Sequence, residues 1–300
     1  MRSPTPICLT GATGTVGRSV LARLRGDSHR IRVATRDPTT ALARFGTDGV
    51  EYTAFDFTDP ATYESAFEGV ERLFLVRPPQ ITRAGRSILP AIDAAARAGV
   101  RYVVFLSVLG ADRAPLVPHA RIERGLDAAD LSATFLRASY FMQNLSGVHR
   151  ADLAERDEVF VPAGGGETSL VDARDVAAVA ARFLAERDCT DHADSAYALT
   201  GPEALTYAEV ATVLSDVLDR PITYPDPSPL RFARRMRSHG HPLGEIAAMV
   251  GIYTVARLGL AGRVTADCET VLGRSPLTFE EYARDYAHCW QRTANGNRSG

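Results

Sequence analysis

The chain has 300 residues, 45% hydrophobic and 23% charged: an ordinary globular composition, long enough to bury a large core in one domain or two. A formal net charge of -2 gives no electrostatic case for nucleic acid or an anionic membrane surface, and no apolar run reaches transmembrane length. All 34 residues counted as Lys+Arg are arginine, so a Schiff base or a lysine-assisted proton relay is excluded.

The first element is a short apolar strand at Ile7-Cys8-Leu9, reached so soon that no signal peptide is expected before it and a cytoplasmic protein is. Gly11, Gly14 and Gly17 follow at a spacing of three, and from Thr15 a helix is predicted with Val16, Val20, Leu21 and Leu24 on one face. Strand, glycine turn and helix is the context of a dinucleotide-binding turn. Each glycine has its own reason. Gly11 permits the tight turn, Gly14 lets a pyrophosphate approach the backbone, and Gly17 lets the helix pack closely on the strand. The free N–H groups of the helix N-terminus then face the phosphates.

The second strand, Arg30 to Thr35, ends at Arg36-Asp37-Pro38, where a dinucleotide fold meets the adenosine ribose. Arg36 suits a 2′-phosphate where an acidic residue would repel one, so NADPH is the expected cofactor; a solvated arginine is the plainer alternative. A third strand near Glu51 to Phe55 runs into Asp56-Phe57, with Asp56 able to reach the adenine edge and Asp59-Pro60 starting a helix to Phe67. The fourth strand, Glu71 to Val76, stops at Arg77-Pro78-Pro79. A helix from Arg83 to Ala98 ends before Gly99, and the fifth strand, Tyr102 to Ser107, is continuously apolar, as a central parallel strand is. A helix from His119 to Ala129 and a sixth strand from Leu131 to Arg137 complete a doubly wound α/β sheet with right-handed crossovers.

Beyond residue 150 the texture changes. Phe160 to Val171 reads as two extended pieces around a flexible turn, Gly164-Gly165-Gly166. A helix from Val176 to Leu184 is expected to pack back on the sheet, and Tyr197 to Thr200 is a further strand. The remainder to Trp290 is mainly helical. The expected division is a dinucleotide-binding domain over 1–155, with the helix near 173–186 joined to it, a smaller lobe over 156–292 and a disordered tail over 293–300. Cys8, Cys189, Cys268 and Cys289 are scattered, which predicts reduced thiols and no metal site.

Leu9 to Arg18, Thr35 to Pro38, Leu136 to Leu145 and Leu272 to Arg284 together resemble the NmrA-like group, an atypical branch of the short-chain dehydrogenase/reductases. The resemblance implies an extended Rossmann domain, NADP(H) preference and a mostly helical C-terminal substrate lobe. Some members of the group reduce quinones, dyes, imines or activated double bonds; others bind NADP(H) as redox sensors acting through a protein partner. The expected cofactor contacts are Gly11, Thr13, Gly14, Thr15, Val16, Gly17, Arg36, Asp56, Phe57, Val76, Arg77, Pro78, Ser107, Val108, Ser139 and Tyr140. The expected partner is a small molecule, not nucleic acid or a membrane, for a monomer or homodimer.

The chain departs from the short-chain Tyr-x-x-x-Lys relay, since it lacks lysine. Hydride transfer still needs only a positioned nicotinamide and an electrophile. His119 is the expected proton donor, or else an exposed histidine; Tyr140 is the weaker candidate. Phe141, Met142 and Asn144 could wall the nicotinamide pocket or be core, with core favoured for Met142, and Phe232, Met236, Met249, Tyr253 and Leu258 are available to line an apolar substrate pocket.

Overall fold

The computed structural model describes residues 6–25, 29–81, 83–129, 131–186 and 192–291. In chain order the elements begin with β1 (Ile7–Thr10), α1 (Thr15–Leu24), β2 (Ile31–Thr35), α2 (Pro38–Phe45), β3 (Val50–Ala54) and α3 (Tyr63–Phe67). They continue with β4 (Arg72–Val76), α4 (Ala84–Arg97), β5 (Tyr102–Val108), α5 (Pro118–Ala128), β6 (Ser132–Ala138), β7 (Tyr140–Phe141), α6 (Arg150–Arg156) and β8 (Glu167–Val171). The last are α7 (Ala173–Ala185), β9 (Ser195–Leu199), β10 (Ala204–Thr206), α8 (Tyr207–Leu218), α9 (Pro229–Ser238), α10 (Leu243–Arg257), α11 (Asp267–Leu272) and α12 (Phe279–Tyr286).

Contacts divide the chain into two compact units: Met1–Ala138, Ala173–Leu199 and Thr270–Leu272 form unit 1, and Ser139–Asp172, Thr200–Glu269 and Gly273–Gly300 form unit 2. The expected boundary after residue 155 is therefore displaced. Residues 139–155 belong to unit 2 because Met142, Leu145 and Leu153 are buried in its core with Phe160 and Trp290. The strand at 195–199, inside the range expected for the smaller lobe, belongs to unit 1. The expected tail over 293–300 and Cys189 lie outside the described residues.

Unit 1 holds a seven-stranded sheet in the order β3-β2-β1-β4-β5-β6-β9, with every pairing parallel. The unbroken apolar run of β5 has its reason here, since Tyr102 to Phe105 are all buried and helices cover both faces of such a sheet. One cluster gathers Phe55, Phe57, Tyr63, Phe67, Leu73, Ile88, Phe105 and Ile122. Helix α7 packs on α1.

Unit 2 is mostly helical, with a three-stranded sheet in the order β10-β8-β7. Of the two extended pieces expected over 160–171, only β8 pairs as a strand. The glycine loop before it is not a flexible turn. A Cβ on Gly166 would lie 1.8 Å from the Ala256 carbonyl oxygen, so the loop is shaped by close backbone approach to the end of α10. The Arg257 guanidinium clips the same loop by donating to the Pro162 carbonyl at 3.0 Å. Trp290 is fully buried and its indole N–H donates to the Leu145 carbonyl at 2.9 Å, which ties the end of the described chain into the core. Among the described residues, no helix is long and apolar enough to cross a membrane.

Candidate functional site

In unit 1 the strand order reverses between β1 and β4, and in open α/β sheets the ligand crevice lies outside the carboxyl ends of that pair. Thr10 joins these two strand ends: its hydroxyl donates to the Phe74 carbonyl at 3.0 Å and accepts from the Val76 N–H at 2.9 Å. Gly11 follows with φ +68°, and a Cβ there would sit 3.0 Å from Val76 Cβ. The Gly14 N–H donates to the Gly11 carbonyl at 3.0 Å and closes the turn. Gly17 is the most constrained, because its Cβ would stand 2.2 Å from the Gly11 carbonyl oxygen. Helix α1 starts at N-cap Gly14 with no side chain capping it. Thr13, Gly14 and Thr15 are exposed, whereas Val16 and Gly17 are buried. Val16 is thus a packing residue whose side chain does not face a ligand.

At the end of β2, Arg36 is exposed. Asp37 beside it caps α2, accepting from the Thr40 N–H at 2.9 Å and the Thr40 hydroxyl at 2.6 Å. These hydrogen bonds hold its carboxyl below the usual range. Asp56 is likewise held low, first by the Thr58 N–H and hydroxyl and further by the Arg36 charge. The helix-starting aspartate is Asp59, whose side chain accepts from the Ala61 N–H at 3.1 Å. Phe57 does not offer its ring to a cofactor. The ring is buried edge-on against Phe55 at 4.7 Å, and the Phe57 carbonyl accepts from the Tyr63 hydroxyl at 2.7 Å. An aromatic at a strand end looks the same in sequence whether it faces core or ligand.

After β4 the loop at Val76, Arg77 and Pro78 is built by Arg77 itself. One guanidinium nitrogen donates to the carbonyls of Pro78 at 3.1 Å, Pro79 at 3.2 Å and Ile81 at 2.8 Å. Its Nε donates to His119 Nε2 at 3.4 Å. Arg77 therefore shapes the loop; its charge does not project toward a phosphate. His119 is half-buried against Phe105, and burial together with the Arg77 charge pushes its pKa down to about 4. It is a neutral acceptor at neutral pH. This removes the imidazolium on which the proton-donor expectation rested, and His119 is not the exposed histidine of the alternative either.

Ser107, at the carboxyl end of β5 with Val108 beside it, is buried and donates to Glu123 Oε1 at 2.5 Å. Arg137 closes the other side of that carboxylate at 3.2 Å and 2.7 Å. Sequence reading missed both partners. Their signal was an acid in α5 four residues after His119 and a basic residue near the end of an apolar strand, which is too common a pairing to single out.

In unit 2 the hydroxyl of Ser139 is buried with no partner among the described residues. Tyr140, in β7, meets the Tyr253 hydroxyl and lies 3.3 Å from His149 Nε2; burial pushes its hydroxyl up. Phe141 and Asn144 are half-buried and Met142 is core. The expected substrate pocket does not form from the residues named for it. Phe232, Met236 and Tyr253 are fully buried in the unit 2 core with Met249 packed against them, while Leu258 is exposed. An apolar stripe at helical spacing marks a covered face without saying whether protein or ligand covers it.

The model of the NmrA-like family matches residues 4–283. The chain belongs to the NmrA-like family. It is 33% identical over 290 residues to the NAD(P)H azoreductase of Xenophilus azovorans, covering 94% of this chain and 98% of that protein. It is 31% identical over 244 residues to quinone oxidoreductase 2 of Escherichia coli strain K12, covering 79% of this chain and 83% of the other. Among solved structures, an NADPH-dependent quinone oxidoreductase from Escherichia coli complexed with NADPH aligns with a TM-score of 0.83 at 28% identity, covering 94% of this chain and 99% of that one. The residues of this NmrA-like chain fit a phosphorylated dinucleotide on their own geometry. No side chain caps the first turn of α1, whose N-cap is Gly14, and Arg36 is exposed just beyond β2.

Proposed function

We propose that this chain reduces a small organic electrophile that develops no localised alkoxide on taking up hydride: a quinone, an enone, an imine reduced as its iminium ion, or an azo compound. It is an NAD(P)H-dependent oxidoreductase of the NmrA-like family, and NADPH is its cofactor. When bound, NADPH supplies the hydride. The observation that carries the substrate class is the missing lysine. Glu123 stands four residues after His119, at the spacing of a Tyr-x-x-x-Lys pair, and its carboxylate is saturated by Ser107 and Arg137. A simple ketone would need its developing alkoxide stabilised by such a relay. A quinone or an iminium ion has no comparable need.

The residues divide the remaining work. The first turn of α1 receives the pyrophosphate through its free N–H groups. Arg36 receives the 2′-phosphate, and Thr10 holds the strand ends that frame the turn. Tyr140 and Asn144 are the polar candidates for substrate contact. The test is NADPH consumption by the purified protein against a panel of quinones, azo compounds, enones, cyclic imines and simple ketones. Turnover of the first four classes with ketones inert is expected. Ketone reduction at a comparable rate overturns the substrate class. No turnover at all, with cofactor-dependent capture of a partner protein, would instead point to a redox sensor.

A further inference from the structure

Arg77 and His119 meet at the carboxyl ends of β4 and β5, neighbouring parallel strands of unit 1. Arg77 follows β4 directly, and His119 is the second residue of α5, whose first position is Pro118. The imidazole is held on two sides. Its ring lies against Phe105 of β5, with centroids 6.0 Å apart and planes inclined by 30°. Its Nε2 accepts from the Arg77 Nε–H at 3.4 Å. Arg77 is itself fixed, because one of its terminal nitrogens is tied to the carbonyls of Pro78, Pro79 and Ile81.

Hydrogen counting settles the tautomer. A neutral imidazole carries one N–H, and a guanidinium only donates. The ring nitrogen that faces Arg77 must therefore bring its lone pair, and the imidazole hydrogen sits on Nδ1. Burial and the Arg77 charge keep a second proton off the ring at neutral pH. Among the described residues no group pairs with Nδ1, and that nitrogen is not sealed in the interior. The chain thus builds an uncharged donor of set identity and gives it no partner of its own.

We infer that His119 offers its Nδ1–H to an acceptor oxygen on the nicotinamide riboside half of NADPH, with Arg77 the positioning residue that keeps the hydrogen on Nδ1. A dinucleotide lies across the switch point between β1 and β4. Its adenosine half takes the β2 side, where Arg36 stands. The nicotinamide half then falls on the β4–β5 side, with His119. That half has two kinds of acceptor oxygen, the carboxamide carbonyl and the ribose hydroxyls. Its ring also becomes cationic when the hydride leaves. A neutral donor can hold it without opposing that charge, as an imidazolium or a second arginine would. No proton changes owner in this role. It depends on NADPH binding and is independent of the substrate class. A merely structural histidine would pack on Phe105 and receive Arg77 in the same way, yet leave the cofactor untouched.

The deciding measurement is calorimetric affinity for NADPH and for 2′-phospho-ADP-ribose, which lacks the nicotinamide half. It compares the unmutated protein with His119→Asn and His119→Gln. An asparagine amide puts its N–H where Nδ1 stands, and a glutamine amide puts it where Nε2 stands. His119→Gln should weaken NADPH binding about three- to tenfold, the worth of one neutral hydrogen bond. His119→Asn should stay within about twofold of the unmutated protein, and the fragment should bind all three alike. The thionicotinamide analogue of NADPH separates the two oxygens. The His119→Gln loss vanishes with it if the carboxamide carbonyl is the acceptor and persists if a ribose hydroxyl is. Equal losses for NADPH and the fragment overturn this role, as does a His119→Gln protein that binds NADPH undiminished. If the variants do not fold, NMR of the imidazole nitrogens in the unmutated protein decides. It should find Nδ1 protonated and its hydrogen shifted downfield by NADPH but not by the fragment; a hydrogen on Nε2, or no shift, overturns the role. Failure of the unmutated protein to bind NADPH at all is a different failure, that of the cofactor assignment, and the role falls with it.

Discussion

Arg36 illustrates how one side chain can select a cofactor. It is exposed at the end of β2, so binding a 2′-phosphate costs little desolvation, and the neighbouring Asp37 is engaged with Thr40. A charge-assisted contact of this kind contributes about 1.5–3 kcal/mol. Arg36→Ala should therefore raise the Kd for NADPH about tenfold or more and leave that for NADH nearly unchanged, as titration calorimetry would measure. Equal affinities of the unmutated protein for both cofactors would contradict this role. The arginine was readable in the sequence because the motif fixes its place. The Asp37 cap was not, since a cap depends on where the helix begins. His119 failed in the same way: its residue type promised a proton donor, but the Arg77 Nε at 3.4 Å and the surrounding burial hold it neutral.

At the scale of elements, the glycines divide by what stands opposite them. Gly165 has nothing within 4 Å of a would-be Cβ, whereas Gly166 faces the Ala256 carbonyl oxygen at 1.8 Å. Gly166→Ala should push α10 away from the loop before β8 and destabilise the protein by about 3 kcal/mol, the upper end of the overpacking range. Gly165→Ala should change stability by less than about 0.5 kcal/mol, as surface substitutions do. Urea unfolding of the two variants side by side checks the contrast, and equal midpoints would refute the packing account. Three consecutive glycines look flexible in any sequence. Only the arrival of α10, some ninety residues later in the chain, turns the last of them into a contact.

For the whole molecule, acid is the condition that discriminates. Burial holds His149 at about 3 and burial with Arg77 holds His119 at about 4, both below the ordinary 6.5. The unfolded chain therefore binds more protons than the native one below pH 6.5, so unfolding is favoured as pH falls. Stability should be flat above about pH 6.5 and drop steadily toward pH 4. Asp127 and Asp152 are raised by burial and act in the opposite sense, but only within the carboxylate range, so the histidines set the slope above about pH 5. Denaturant unfolding at a series of pH values checks this, and His119→Phe should flatten the curve. A profile level from pH 7 to 5 would mean that both imidazoles are protonated in the native state.

The chain by itself determined what local periodicity and chirality dictate. The N-terminal strand, the glycine turn and the alternation of strands and helices up to residue 138 leave one parallel, doubly wound solution, and the turn's position marks the phosphate end of it. The absence of lysine settled which proton chemistry could not occur. Tertiary structure decided everything that depends on which residues meet across long separations. It assigned residues 139–155 and 195–199 to their units, committed Ser107 to Glu123, turned Phe232 and Met236 into core, and brought His149 within hydrogen-bonding distance of Tyr253. A side chain's chemistry follows from its partners, its solvent and its charge neighbours, and in a folded chain those are set by packing.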